Sequence, residues 1–319
     1  MVSLKAIRAA SSSLPRRSPV AIFVGSTSGI GLGTIEALLH NSDSPRVIII
    51  GRSRSRFSAT LQRLQELNPK AKINFIEAEV SFLREVDRVC SLIVTEHTNI
   101  DYLWLSQGGL ANGKGSLSTE GLNEDLAICY YSRLLFMQRL IPLLNKSPSD
   151  PRIVSVLSAG QEGTPQASDL GLLNSPDFGV FPTMKHNVTM MSLAMRELAL
   201  QNSKISFIHT NPGMVSTAVH DRWIDGWTGP WAVLGWLMRL TFVPLMHSLG
   251  YTPSEAGEIG FFELSDARFA ANTGTNFFRL SEKAEVLSTP AVLKNYEDDG
   301  FGKKVLEHTL QVNEKVLSL

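Results

Sequence analysis

The stretch Val20–Gly31, V-A-I-F-V-G-S-T-S-G-I-G, constrains the fold of this chain more than any other. Val20 to Val24 is an apolar run with β-branched residues, bounded by Pro19 and Gly25. That is the pattern of a strand buried on both faces, as in a parallel sheet. Gly25, Gly29 and Gly31 then turn the chain into Leu32–Leu39, whose apolar spacing is helical. A strand that delivers glycines to a helix N-terminus builds an anion site. The missing Cβ atoms let a pyrophosphate approach the backbone, and free N–H groups with the helix dipole hold its charge. The spacing G-x-x-x-G-x-G is one residue longer in its first gap than the usual dinucleotide fingerprint.

Downstream the chain alternates. Strands are expected at Arg46–Ile50, Lys72–Ala78, Ile100–Leu105, Arg152–Leu157, Ile205–His209 and Thr275–Leu280. Helices are expected at Phe57–Leu67, which Pro69 ends, at Leu83–Glu96, within Leu117–Leu144 and over Phe181–Gln201. Regular β-α-β alternation with short connectors implies an α/β fold: a doubly wound, Rossmann-like parallel sheet with helices on both faces. With 319 residues, 43% of them hydrophobic, the chain suits one large domain. That domain spans 19–319 after an N-terminal extension, 1–18.

Formal net charge is +0 and no long charge run appears, so no nucleic-acid partner is expected. Two cysteines, Cys90 and Cys129, form no disulfide framework, which suits a reducing, cytoplasmic setting. His40, His97 and His247 show no ligand spacing, and no metal is expected. The first seventeen residues carry Lys5, Arg8, Arg16, Arg17 and no acid. They fit either a mitochondrial transit peptide or a short helix at Ser3–Ala10 followed by a polar connector.

The second strand runs into G-R-S-R-S-R. An acidic residue there would bind ribose hydroxyls, whereas an arginine suits a 2′-phosphate, because its planar fork donates in pairs. Arg52 stands directly after Gly51, so NADP(H) is favoured over NAD(H). The alternative is a solvated basic turn.

From roughly Val20 to Leu280 the chain resembles the short-chain dehydrogenase/reductase family. The glycine turn carries Thr27, Ser28 and Ile30 between its glycines. Glu79-Val80 matches the family's pair beside the adenine. Ser106-Gln107-Gly108-Gly109 occupies the place of its Asn-Asn-Ala-Gly, with the glycine kept and the asparagines not. Ser158 matches the catalytic serine, and Lys185 the lysine of Tyr-x-x-x-Lys. Pro212, Gly213, Val215 and Thr217 match the loop that holds the nicotinamide end. The N-terminal segment, the Arg152–Pro165 region and the closing D-D-G-F-G-K-K-V-L-E-H-T resemble fungal members from secondary-metabolite pathways.

The departures are as informative. In the family a tyrosine transfers the substrate proton, lysine lowers its pKa and binds the ribose, and serine polarises the carbonyl. Here Phe181 stands at the tyrosine position, and phenylalanine has no proton to give. The family's structural asparagine aligns with Cys129. Losing general acid catalysis costs about 10²–10⁴-fold, which leaves a slow reductase rather than none. His186 titrates near neutrality, but one helical step rotates it about 100° from Lys185. Tyr130 and Tyr131 read as core, and nothing adjacent lowers the pKa of Cys129.

Asp221–Ser254 occupies the family's substrate lid. Trp223, Trp227, Trp231 and Trp236 lie there among Leu, Met, Val and Phe, which suits a large hydrophobic small molecule. A transmembrane span would need ~20 apolar residues, and Arg239 interrupts this run. Ordinary core packing and a peripheral membrane contact are the competing readings, and a homo-oligomer is left open. The function this implies is NADP(H)-dependent reduction of a carbonyl or activated double bond in a hydrophobic secondary metabolite. The alternatives are a redeployed fold that isomerises, cyclises or dehydrates without redox change, and a silent binding subunit.

Overall fold

The structure is a computed structural model that describes residues 3–14, 16–175, 178–217, 235–241, 250–271 and 273–318. Its centre is a seven-stranded parallel sheet in the order β3-β2-β1-β4-β5-β6-β7. The strands are β1 (Val20–Val24), β2 (Arg46–Gly51), β3 (Lys72–Glu77), β4 (Tyr102–Leu105), β5 (Arg152–Val156), β6 (Ser206–Thr210) and β7 (Phe277–Leu280). Val24 pairs with Ile50 on one side and Leu105 on the other. Strand order reverses between β1 and β4, the switch point at which such sheets open a crevice.

Alternation in the central strands feeds two cores. Ile22, Val24, Ile48 and Ile50 pack with helices α4 (Leu83–Glu96), α6 (Ser132–Leu144) and α7 (Val180–Gln201). Ala21, Phe23, Val47 and Ile49 pack with α2 (Gly29–Asn41), α3 (Arg54–Leu67) and the helix Pro253–Ser265. The latter crosses α2 backbone to backbone. A Cβ added to Gly33 would overlap the Pro253 carbonyl, and one added to Gly257 would overlap Gly33.

Most boundaries follow the sequence, and the exceptions have local causes. Helix α3 starts at Arg54, three residues earlier than the apolar pattern shows, because Ser53 caps it by accepting from the Arg56 N–H at 3.3 Å. Strand β4 begins at Tyr102, and the Asp101 side chain before it accepts from the Val20 N–H at 2.8 Å. The long helix expected within Leu117–Leu144 is α6, and a short α5 (Glu124–Leu126) and a π-helical turn, Ala127–Tyr131, lead into it. Strand β7 begins at Phe277, and the Asn276 side-chain amide before it donates to the carbonyls of Ala199, Asn202 and Ile205.

The N-terminal α1 (Leu4–Ser13) is helical, longer than Ser3–Ala10, and packs on the domain. Ile7 is buried, and Arg8 pairs with Glu258 at 2.8 Å. Two helices that the sequence reading omitted close the chain, Ala291–Asp298 and Phe301–Leu317. Thr309 and His308 of the second meet the hydroxyls of Tyr130 and Tyr131 at 2.6 and 2.8 Å.

Candidate active site

The glycine turn sits at the sheet's switch point. Gly25 has φ +73°, and a Cβ there would overlap the Gln107 backbone, so the β1 and β4 loops touch main chain to main chain. Thr27 packs on Gly51, and Ser26 meets Ser106 hydroxyl to hydroxyl at 3.2 Å. Ser28 is the N-cap of α2 yet makes no side-chain capping bond, and the first turn carries no acid. The first-turn N–H groups, where Ile30 and Gly31 stand, are therefore open toward the crevice with the positive helix end behind them. Thr217, almost two hundred residues away, closes on the same turn: its Cγ2 lies 3.0 Å from the Cβ position of Gly29. A cradle with no room for side chains at an uncapped helix end fits a dinucleotide pyrophosphate.

The arginine cluster divides. Arg54 donates to the Phe75 carbonyl and lies 5.7 Å over the Phe75 ring, so its charge is committed. Arg52 is exposed and makes no hydrogen bond or ion pair with the described residues. Glu79 accepts from Ser81 at 3.0 Å, and Val80 is buried. The Gln107 amide turns down to Ser132 at 3.2 Å. Gly108, at φ +104°, lies against the Cys129 sulfur, whose thiol burial pushes up in pKa. Tyr130 and Tyr131 are buried as expected, and burial raises both phenols.

The Ser158 hydroxyl donates to the Leu157 carbonyl at 2.6 Å. Phe181, in the first turn of α7, is 71% exposed, and Lys185 one turn on is also exposed. The Lys185 stem lies along Gly163, where a Cβ would come within 2.9 Å of Cδ. Lys185 therefore meets the loop after β5 at Gly163, five residues past Ser158. Lys185, Thr189 and Ser192 share one face of α7 at spacings of four and three. Thr189 takes both the N–H and the carbonyl of Gly163, at 2.9 and 2.7 Å. Ser192 donates to Glu162 at 2.8 Å.

His186 points elsewhere. Its Nδ1 accepts from the Gln166 N–H and its Nε2 donates to Leu170, both at 3.0 Å. Burial lowers its pKa, so it is a neutral pin and not a proton source.

Sequence reasoning missed the charges beneath the site. Arg133 is buried and bonds Ser155 Oγ at 2.9 Å, the Val156 carbonyl at 2.7 Å and the Gln107 carbonyl, tying the ends of β4 and β5. With no carboxylate beside it, burial pushes its pKa down to about 10. Glu162 and Arg279 form a buried pair joined through Ser192 to His209. Burial pulls His209 down to about 3. The available signal was a charge inside an apolar run, as in Y-S-R-L-L-F and N-F-F-R-L.

The last loop leaves β6 at Asn211. Gly213, at φ +64°, is packed on Glu282, with Pro212 beside it. Val215 is buried and bridges Tyr251. Ser216 donates to the Tyr251 carbonyl, and the Tyr251 N–H donates to Met214, both at 2.9 Å. Of the predicted lid, Trp223, Trp227 and Trp231 lie outside the described residues, and Trp236 is exposed.

Residues 19–226 match the profile of the short chain dehydrogenase family. The chain belongs to that family. An oxidoreductase of Emericella nidulans is 34% identical across 97% of both chains. In fold, the chain resembles L-sorbose reductase from Gluconobacter frateurii, solved with NADPH and L-sorbose, at TM-score 0.60 and 16% identity over 86% of this chain and 98% of that one. It is similarly related, at TM-score 0.59 and 20% identity over 86% of this chain and all of the other, to an NADPH-bound short chain oxidoreductase from Pseudomonas aeruginosa. That protein is described as containing an atypical catalytic centre. Among the described residues, no helix is long and apolar enough to cross a membrane and no metal-binding cluster occurs.

Proposed function

We propose that this short-chain dehydrogenase/reductase is an NADP(H)-dependent cytoplasmic reductase of a carbonyl or activated double bond in a hydrophobic secondary metabolite. The observation that carries the cofactor reading is the uncapped α2 N-terminus in a side-chain-free cradle, with Arg52, which has no partner among the described residues, at the next strand end. Arg52 takes the 2′-phosphate, and the first turn of α2 takes the pyrophosphate.

When bound, the nicotinamide supplies or accepts a hydride. Ser158 turns its hydroxyl off Leu157 and donates to the substrate oxygen, polarising the bond. Lys185 holds the ribose side of the site and a water that returns the proton to the reduced oxygen. Phe181 supplies an apolar wall and no proton. Titration of the purified chain with NADPH and NADH, followed by turnover of hydrophobic ketones and enones, tests this reading. Binding without oxidation of NADPH by any of them would reject it.

Phe181 itself favours a second reading. A site that keeps Ser158 and Lys185 but lacks a phenol suits isomerisation, cyclisation or dehydration without net hydride transfer. Product formation with no change in cofactor absorbance would establish it. Absence of both activities with retained binding leaves the silent binding subunit.

A further inference from the structure

The turn that begins at Ser158 is closed by the Gln161 N–H, which donates to the Ser158 carbonyl at 3.0 Å. Gly160, inside that turn, has φ +94°, and its N–H donates to Glu162 Oε2 at 2.9 Å. The Glu162 side chain is wholly out of solvent. Its Oε2 also accepts from Arg279 Nη2 at 2.5 Å. Its Oε1 accepts from Arg279 Nε at 2.7 Å and from the Ser192 hydroxyl at 2.8 Å. One carboxylate thus fills its four acceptor positions from three segments: the Ser158 turn, α7 and β7.

The same contacts reach Lys185. Ser192 lies two turns along α7 from Lys185, on one face. Between them Thr189 takes both the N–H and the carbonyl of Gly163, against which the Lys185 stem lies. Ser192 has a single proton, which goes to Glu162, so His209 Nδ1 donates to the Ser192 oxygen at 2.8 Å. On the other side Arg279 Nη1 donates to the Ser288 carbonyl at 2.9 Å, and Leu287 Cδ1 stands 3.1 Å from the Cβ position of Gly160. The loop after β7 therefore backs the Ser158 turn through the same arginine. A buried ion pair is a poor source of stability, since apolar side chains of similar volume commonly do as well or better. What this pair supplies, and apolar side chains would not, is a fixed direction for the Gly160 N–H and the Ser192 hydroxyl.

We propose that Glu162 is a positioning residue that holds the Ser158 hydroxyl and the Lys185 amine at a set separation for the reduction. The proposal rests on the reductase reading above. With its side chain out of solvent, Glu162 touches neither substrate nor cofactor and acts through the Ser158 turn and α7. A misplacement of about 1 Å between reacting groups costs about 10²-fold. Four hydrogen bonds to one carboxylate leave the turn no such freedom, so Ser158 reaches the substrate by rotating its own side chain.

The test follows NADPH oxidation by the full chain with two apolar carbonyl probes, decalone and phenanthrenequinone, alongside NADPH affinity and urea unfolding. The variants are Glu162→Gln, Glu162→Leu with Arg279→Met, and Ser158→Ala in the native and Glu162→Gln backgrounds. A glutamine nitrogen would face two donors, either Gly160 and Arg279 Nη2 or Ser192 and Arg279 Nε. In Glu162→Gln, kcat should fall about 10–100-fold while the Kd for NADPH stays the same. The paired Leu and Met variant should regain stability yet keep the loss in kcat, a split that a merely structural pair would not show. Ser158→Ala should cost far less in the Glu162→Gln background than in the native chain, because residues acting as one unit are not additive. Unchanged kcat in Glu162→Gln, kcat that returns with stability, or additive losses overturns the proposal. Amide exchange on the native chain needs no variant to fold. Gly160 and Gly163 should exchange as slowly as α7 around Thr189, and fast exchange at Gly160 also overturns the proposal. A native chain that oxidises NADPH with neither probe, nor with the ketones and enones above, removes the reductase reading and the proposal with it. Oxidation that Glu162→Gln leaves untouched removes the proposal alone.

Discussion

Arg279 grips Glu162 through two charge-assisted hydrogen bonds, Nε to Oε1 at 2.7 Å and Nη2 to Oε2 at 2.5 Å, with both side chains out of solvent. The pair fastens β7 to the loop that follows Ser158. Burial pushes the Glu162 carboxyl up, but the Arg279 guanidinium and the Ser192 hydroxyl hold it below its ordinary value. Removing one partner strands the other. Glu162→Ala should cost about 3–5 kcal/mol in chemical unfolding. Glu162→Leu combined with Arg279→Met should recover much of that loss. Equal loss in single and double variants would contradict the assignment.

The two buried histidines predict a pH slope. The neutral folded forms of His186 and His209 resist protons that the unfolded chain accepts at about pH 6.5. Below that pH the unfolded state binds more protons, so stability falls, by about 1.4 kcal/mol per unit for each fully resisting group. For His209 the fall continues to about pH 3. Glu263 acts in the opposite sense. Its folded form keeps a proton that the unfolded chain releases above its ordinary 4.5, so stability drops as pH rises from there to about 8. Urea unfolding between about pH 4.5 and 8 should show a shallower acid-side slope for His209→Asn. Glu263→Gln should gain stability most at the alkaline end.

The crossing of α2 over the helix Pro253–Ser265 leaves no room for a methyl group. Gly33→Ala should destabilise by at least about 1–3 kcal/mol, although alanine is the better helix former. A rise in Tm for this variant would show that the crossing is looser than the backbone contact implies.

Arg52→Ala tests cofactor choice. A charge-assisted hydrogen bond contributes about 1.5–3 kcal/mol, so NADPH should weaken about tenfold or more while NADH barely changes. Equal weakening of both would reassign Arg52 to a general basic turn.

Phe181→Tyr tests the chemistry. If the chain is a reductase with its acid removed, a phenol one turn from Lys185 should restore part of the roughly 10²–10⁴-fold acid–base contribution. If the chain runs a non-redox reaction, the same change should leave turnover flat or lower it. Lys185→Ala should weaken NADPH in either case.

The frame of the molecule was legible because parallel strands must be apolar throughout and their loops must carry glycine. Both signals are local and repeat along the chain. The glycine turn was legible for the same reason, down to the positive φ of Gly25 and the place of Ser28 at the start of α2. The polar scaffold beneath it was not. Arg133 reads as one charge in an apolar helix, and only the fold reveals four acceptors converging on it from β4, β5 and their loops. The π-turn at Ala127–Tyr131 is equally silent in sequence, because it is one residue of register held by packing against the C-terminal helix.

The hydrogen bonds that join Met214 and Ser216 to Tyr251 have an evolutionary consequence. The clasp holds the chain at 214–216 against the chain at 251, so the two flanks of that interval keep their spacing whatever its length. Changes in its length or composition leave the path of the sheet untouched, and the entropy of closing a longer excursion grows only logarithmically. Length and composition between 217 and 250 can therefore drift while the strands on either side keep their register.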